Sequence, residues 1–360
     1  MLKDLYNRFF PIPQFLAMPS FGLDISDESI KYIELLRVKD GIKLGHYGEV
    51  RIPAGIIESG KIKDQRGVER ILLSLKKKEG MKSVRVSLPE EQIYLFNLNL
   101  NKSGLESIRE GIELSLEEYI PIPAQEVIFD YDILSEDNQN LKLQVGAISK
   151  NTIEEYLSVF KDAGIDALSF ELEADPLARC VIKKEDSSTY MIVDYGKRRT
   201  GIFIVSKGVV LFTSTLDVGG ATLTGLIEKD LNISNKEAEK KKLENGLRND
   251  EPNKEIFLAL LKGVSLLEGD IMKHLAYWNT HKNEEGKDRA QIEKIILCGG
   301  SANLISLADY LSAGLKIKVE LANVWLNITD TNKNIAELSL EVSLSFAPAI
   351  GLALGNFEYD

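Results

Sequence analysis

Two copies of one pattern limit what this chain can fold into. In the first, Phe21-Gly22-Leu23-Asp24-Ile25 is an apolar strand that runs into an aspartate. A polar turn, Ser26-Asp27-Glu28-Ser29, follows, and Ile30-Lys31-Tyr32-Ile33-Glu34-Leu35 returns with the period-two alternation of a half-buried strand. In the second, Met191-Ile192-Val193-Asp194-Tyr195-Gly196 leads through a basic turn, Lys197-Arg198-Arg199, into Thr200-Gly201-Ile202-Phe203-Ile204-Val205. Asp24 and Asp194 stand about 170 residues apart, which is an internal repeat at domain scale, with one hairpin in each half. The length agrees, because 360 residues are too many for a single hydrophobic core.

Around the hairpins the pattern is mixed α and β. Gly41 to Arg51 reads as a third strand of the first meander, Gln65 to Lys78 as a helix with Val68, Ile71, Leu72 and Leu75 on one face, and Val84 to Leu88 as a strand stopped by Pro89. A small α+β unit is then expected between two segments of the larger fold. In the order strand, helix, strand, strand, helix, it comprises a leading strand, a helix from Leu105 to Tyr119, strands Val127 to Leu134 and Lys142 to Ile148, and a helix to Lys161 capped by Asn151. In the second half, helices are expected from Ala221 to Leu231 and over much of Lys236 to Tyr277, followed by a charged loop from Asn279 to Arg289. A last buried strand, Ile292 to Gly300, should run straight into a helix over Ala302 to Leu311.

Composition excludes several classes. A net charge of -11, from 44 basic and 55 acidic residues, argues against wrapping nucleic acid. The runs Lys76-Lys77-Lys78 and Lys240-Lys241-Lys242 lie among glutamates and read as solvated helix faces. Cys180 and Cys298 are far apart in apolar company, the pattern of buried free thiols in a reducing compartment. His46, His274 and His281 are scattered, so no zinc spacing is present. Residues 1–20 place Leu2, Leu5, Tyr6, Phe9 and Phe10 at near-helical spacing, expected as a short helix packed on the domain edge rather than a signal peptide. No run approaches the ~20 apolar residues of a membrane-spanning helix.

The two hairpins suit a phosphate and metal clamp. Turn amides can cradle phosphate oxygens, and Asp24 and Asp194 can hold a hydrated Mg²⁺. A strand-ending Asp alone more often caps a turn. The third element is Lys294-Ile295-Ile296-Leu297-Cys298-Gly299-Gly300-Ser301-Ala302, a buried strand ending in a glycine pair, where backbone can approach a nucleotide without Cβ clashes.

In that order the three elements resemble the phosphate-1, phosphate-2 and adenosine motifs of the actin-like ATPase superfamily. The likeness to its PilM family of type IV pilus assembly proteins runs nearly end to end. It is carried by Gly22 to Lys31, by Glu118-Tyr119-Ile120-Pro121-Ile122-Pro123-Ala124 and on to Tyr131, by Val218-Gly219-Gly220 with Thr222 and Thr224, and by Phe346-Ala347-Pro348-Ala349-Ile350-Gly351. The resemblance implies an α/β, actin-like (ribonuclease H-like) two-lobed fold with an inserted small α+β subdomain. The first lobe would take 21–88 and 166–189, with 344–356 packing back, and the insertion 89–165. The second lobe would take 190–216 and 291–343, with a helical subdomain over 217–290.

The resemblance also implies ATP and Mg²⁺ between the lobes. Asp24 and Asp194 would organise the metal through water. Ser26, Ser29 and Lys31 would lie near the phosphates from one lobe, and Gly196, Arg199 and Thr200 from the other. Gly219, Gly220 and Thr222 would open a nucleotide-facing helix, Glu239 and Lys242 would reach the ribose or adenine, and Gly299, Gly300 and Ser301 would line the adenosine. Partners implied are the cytoplasmic N-terminal peptide of a PilN-like membrane protein, held in a groove of the inserted subdomain, with pilus assembly ATPases and self-association as further contacts. The protein would then sit in the cytoplasm against the inner face of the cell membrane, reached only through partners.

This chain departs from the family pattern at Ser26, where glycine is usual, and at Asp27 and Glu28, where small hydroxyls are usual. Lys197-Arg198-Arg199 offers bases that offset those acids. No general base for water is evident, so slow hydrolysis at most is expected. The alternatives are an FtsA-like filament-forming division protein, a small-molecule kinase of the same superfamily, and a degenerate scaffold without nucleotide. An FtsA-like protein would carry a terminal membrane-targeting helix after a linker, a feature not seen before Asp360.

Overall fold

The computed structural model describes residues 19–38, 41–103, 107–282, 286–328 and 338–357. The expected helix in 1–20 therefore lies outside the described residues, apart from Pro19 and Ser20. The chain forms two compact units. One comprises Met1–Leu36, Leu44–Pro176 and Leu352–Asp360; the other comprises Arg37–Lys43 and Leu177–Gly351.

In the first unit, strands β1 (Phe21–Ile25) and β2 (Ser29–Val38) form the first hairpin, with Asp24 opposite Lys31. Strand β3 (Gly41–Arg51) continues the meander, and β4 (Ile57–Glu58) and β5 (Lys61–Ile62) pair with each other. Helix α1 (Gln65–Glu79) starts where the Asp64 side chain accepts from the Gly67 N–H. It ends at Gly80, which takes φ 68 and donates to Lys76 O. Val68, Leu72 and Leu75 form its buried face, each contributing about 1.5–3 kcal/mol of burial.

Strand β6 (Ser83–Leu88) runs parallel to β1. The chain then enters the inserted subdomain: β7 (Ile93–Asn101), α2 (Ile108–Tyr119), β8 (Val127–Glu136), β9 (Asn140–Ser149) and α3 (Lys150–Ala163). Its sheet is antiparallel in the order β7-β9-β8, and α2 covers one face over Leu98, Leu100, Ile112, Leu116, Leu143 and Val145. The leading strand of this unit, expected without bounds, spans Ile93–Asn101, where asparagines disguise the alternation that buries Leu98 and Leu100. The expected Asn151 cap is also corrected. Strand β9 passes directly into α3 at Ser149, and Asn151, already inside the helix, donates to Glu155 Oε1 at 2.8 Å. Strand β10 (Asp166–Leu172) is parallel to β6 and completes a sheet in the order β10-β6-β1-β2-β3.

Helix α4 (Ala174–Val181) carries the boundary between the units. The second unit contains β11 (Thr189–Tyr195), β12 (Thr200–Ser206), β13 (Val209–Leu216), α5 (Gly220–Leu231), α6 (Asn235–Asn245), α7 (Lys254–Thr280), β14 (Lys294–Cys298), α8 (Leu307–Leu315) and β15 (Lys318–Leu321). Its sheet order is β13-β12-β11-β14-β15, with β11, β14 and β15 parallel. The two sheets share one plan: an antiparallel meander of three strands, then two strands parallel to its first. The repeat seen in the sequence is thus a repeat of topology. The expected helix over Ala302–Leu311 is instead a 3₁₀ turn, Gly300–Asn303, then a break at Ser306 (φ 64) before α8.

Short helices α9 (Leu340–Ser343) and α10 (Ala347–Leu354) close the chain. Leu340–Phe357 has the length and composition to cross a membrane, but 67% of its apolar window is buried, as in a core segment. Both cysteines are free and buried, and burial raises the Cys180 thiol far above its usual range.

Candidate functional site

The motif residues gather at the carboxyl ends of parallel strands, where open α/β sheets place their ligands. In the first unit, Asp24 ends β1 beside the end of β6. It is buried, and Ser87 Oγ donates to its Oδ1 at 2.7 Å. Ser26 departs from glycine to structural effect. Its hydroxyl accepts from the amides of Ser29 (3.1 Å) and Glu28 (3.4 Å) and donates to Ser29 O, so these turn amides already have a partner. Asp27 turns away to accept from the Ser59 and Gly60 amides, both at 3.0 Å. Its charge is thereby engaged with backbone. Ser29 is buried, and Lys31 stands opposite Asp24 on β2.

The second unit is built more tightly. Strands β11 and β14 are in parallel register with Asp194 beside Cys298, which sets Gly299 against the carboxylate. Gly299 has φ 87, and a Cβ there would collide with Asp194 Oδ1 and Tyr195 O, so only glycine fits. The hairpin turn at Gly196–Arg199 packs onto the start of α5. Gly196 O accepts from Gly220 N (3.0 Å) and Ser301 Oγ (2.9 Å), and Lys197 O accepts from Ala221 N (2.8 Å). A Cβ on Gly219 would fall 2.5 Å from Lys197 O. Thr222 accepts from the Gly219 amide, Thr200 donates to Val218 O, and Arg199 pairs with Asp217 at 3.6 Å.

Lys242 corrects the reading of its lysine run as solvated. Its ammonium is buried and donates to Gly220 O (3.0 Å), Thr224 Oγ1 (2.9 Å) and Glu239 Oε2 (2.7 Å), while Thr224 also bonds Glu239. Burial works against the Glu239 charge, but hydrogen bonds from Lys242 and Thr224 prevail and hold its carboxyl below the usual range. Lys76 likewise donates to Ala163 O and Gly164 O, closing the end of α3. The structure thus brings Asp194, Gly196, Gly219, Gly220, Glu239, Lys242, Gly299, Gly300 and Ser301 into one neighbourhood. Sequence reasoning gave Ser87 no role and named Thr224 only beside Thr222 in the family resemblance, although its place four residues after Gly220 on one helix face carried a readable signal. Among the described residues no three His, Cys, Asp or Glu side chains converge as metal ligands.

A sequence model described as "Type IV pilus assembly protein PilM" matches residues 22–357. The chain belongs to the PilM family. Solved structures agree on the fold. A PilM-PilN type IV pilus biogenesis complex matches with TM-score 0.79 at 20% identity, covering 95% of this chain and 99% of that one. The ethanolamine utilization protein EutJ from Carboxydothermus hydrogenoformans matches at 0.55 and 15% identity, covering 98% and 96%. MreB5 of Spiroplasma citri bound to ADP matches at 0.56 and 15%, covering 95% and 96%. The fold is therefore actin-like, with one Asp-ended hairpin in each unit.

The site fits a nucleotide unevenly. Gly300 offers open backbone in the second unit, where a Cβ would meet only Ser345 Cβ at 3.6 Å among the described residues, whereas Gly299 is closed in by Asp194 and Tyr195. At the first hairpin, the Ser26 hydroxyl stands where a phosphate would otherwise take the amides.

Proposed function

We propose that this chain is a nucleotide-binding actin-like scaffold of a type IV pilus or type II secretion-like inner-membrane complex. It works in the cytoplasm at the membrane's inner face, and its inserted subdomain takes the cytoplasmic N-terminal peptide of a PilN-like membrane protein. Assembly ATPases are further contacts. The observation that carries the nucleotide part is the cradle of the second unit, where Gly219, Gly220 and Gly299 admit no side chain and Lys242 locks α6 onto the start of α5. The peptide part rests on family membership and on the fold shared with a PilM-PilN complex. MreB5 binding ADP in the same fold supports the choice of ligand.

ATP would lie with its adenosine on Gly299, Gly300 and Ser301, and Asp24 and Asp194 are the carboxylates offered to Mg²⁺ through water. Bound Mg²⁺ would neutralise phosphate charge. Hydrolysis is slow at most, since Asp24 holds Ser87 and Asp27 holds two backbone amides, leaving neither placed as a base.

Calorimetric titration with ATP and Mg²⁺ tests the reading, beside Asp24→Ala and Asp194→Ala measured singly. Micromolar binding that weakens at least about tenfold in each variant is expected. A second reading, a scaffold without nucleotide, is favoured by the Ser26 hydroxyl on the turn amides. Absence of binding by the wild type would establish it. Binding of a synthetic PilN N-terminal peptide, followed by fluorescence anisotropy, is expected in either case.

A further inference from the structure

We infer that the β4–β5 turn is a mechanical link, closed by Asp27, through which the first hairpin and the inserted subdomain act on each other. The turn consists of two residues, Ser59 and Gly60, between the paired Glu58 and Lys61. Both have positive φ, 52 for Ser59 and 69 for Gly60, as a tight type I′ hairpin requires. Such a turn ordinarily leaves the amides and carbonyls of its two central residues to water. Here all four are taken by protein, and the partners divide by origin. The Ser59 and Gly60 amides both donate to the Asp27 carboxylate at 3.0 Å, one to each oxygen. Ser59 O accepts from Gln92 Nε2 at 2.8 Å, and Gly60 O accepts from the Tyr156 hydroxyl at 3.0 Å.

Gln92 and Tyr156 hold the inserted subdomain at both of its ends. Gln92 lies one residue before β7, where the chain enters, and Tyr156 lies on α3, where the chain leaves. Pro89 closes the entry side, since a Cβ on Gly60 would fall 2.4 Å from Pro89 Cβ. Tyr156 is fully buried, and burial, with the Asp27 charge adding to it, raises its hydroxyl far above the usual range. It therefore stays protonated and donates.

The link has two distinct states. A non-glycine residue such as Ser59 keeps left-handed backbone only where its surroundings hold it there, and the Asp27 carboxylate is part of that hold. When Asp27 withdraws, the turn is free to relax, and Gln92 and Tyr156 lose acceptors fixed in place. Asp27 in turn shares a four-residue turn with Ser26, whose hydroxyl accepts from the Glu28 and Ser29 amides. A phosphate that takes those two amides displaces Ser26 and moves Asp27 with it. On the nucleotide and peptide reading given above, a phosphate at the first hairpin and a peptide on the inserted subdomain then bias one common element. Their effects on each other are reciprocal.

Amide hydrogen exchange of the full chain, read by mass spectrometry, tests the link first without any ligand. Asp27→Ala should speed exchange about tenfold or more across residues 57–62, and also in Ile93–Asn101 and the first turns of α3, while β11 and β14 stay as they are. Asp27→Asn, which keeps one acceptor oxygen, should fall between the two. In the reverse direction, Gln92→Ala should speed exchange at the Glu28 and Ser29 amides, on the far side of the turn. Asp27 and Gln92 are only half-buried, so these variants should fold, which their melting temperatures check. Acceleration confined to residues 57–62 in Asp27→Ala, or a hairpin unmoved by Gln92→Ala, overturns the inference. ATP with Mg²⁺ added to the wild type should slow exchange at Ser26–Ser29 and shift it in Ile93–Asn101 over the same titration. In Asp27→Ala only the first change should remain. An ATP effect at the hairpin that leaves Ile93–Asn101 unmoved in the wild type also overturns the link. No ATP effect anywhere counts against the nucleotide reading alone, and the ligand-free variants still decide the link.

Discussion

The Lys242 ammonium meets three acceptors inside the protein, and Glu239 supplies the only formal charge among them. Replacing it by methionine leaves Gly220 O and Glu239 to share the single Thr224 hydroxyl proton. A loss of about 1–3 kcal/mol in chemical denaturation is expected, the ordinary cost of orphaned buried polar groups. The pH dependence follows from Glu239. Its carboxyl titrates lower in the folded protein than in the unfolded chain, so its contribution is complete above the unfolded value of about 4.3 and fades as pH falls through the folded one. Glu239→Gln should flatten stability over that acid range and leave the slope near neutrality unchanged. Tyr195 points the other way. Its hydroxyl is buried with no hydrogen-bond partner among the described residues, and burial pushes its pKa far up. Tyr195→Phe should therefore stabilise the protein by about 1 kcal/mol, read as a raised denaturation midpoint. An unchanged or lowered midpoint would mean that the hydroxyl has a partner after all.

At the scale of elements, stability depends on caps and close approaches. Asp64 caps α1 through the Gly67 amide, and Asp64→Ala should cost about 1 kcal/mol. Gly299→Ala belongs to another class. It forces a side chain onto φ 87 and into Asp194 and Tyr195 O, so β11 and β14 cannot keep register without moving. A loss above about 3 kcal/mol is expected, with nucleotide binding lost at temperatures where the variant is still folded. Asn356 acts as a clasp within the first unit, bonding Ser20 through both amide atoms while Arg85 donates to its Oδ1 at 3.2 Å. Asn356→Ala should lower the melting temperature by freeing the start of β1.

For the whole molecule, the proposed nucleotide binding would be a stability term as well as a function. A ligand that binds only the folded state at a hundred times its dissociation constant adds about 2.7 kcal/mol. The melting temperature should rise with ATP concentration in the wild type and fail to rise in Asp194→Ala. This chain builds five strands per sheet to one plan, twice, and its fold matches EutJ and MreB5 at 15% identity.

Periodicity and punctuation in the sequence were enough for the two Asp-ended hairpins, the third strand with its glycine pair, and the buried face of α1. Those features are local: alternation, a strand-ending Asp and a glycine pair are legible from neighbours along the chain. Other features only the tertiary structure decided. Strand β7 hides behind asparagines because burial of Leu98 and Leu100 depends on α2 arriving above them. Lys242 sits in a run that reads as solvated, and the resemblance turns it toward a nucleotide; only the packing of α6 on the start of α5 gives its ammonium three buried acceptors. Ser26 reads as a weakened phosphate turn until its hydroxyl is seen on the amides of Glu28 and Ser29. In each case the residue's role is set by partners far away in sequence, or by which of several nearby donors it chooses, and neither is written in spacing.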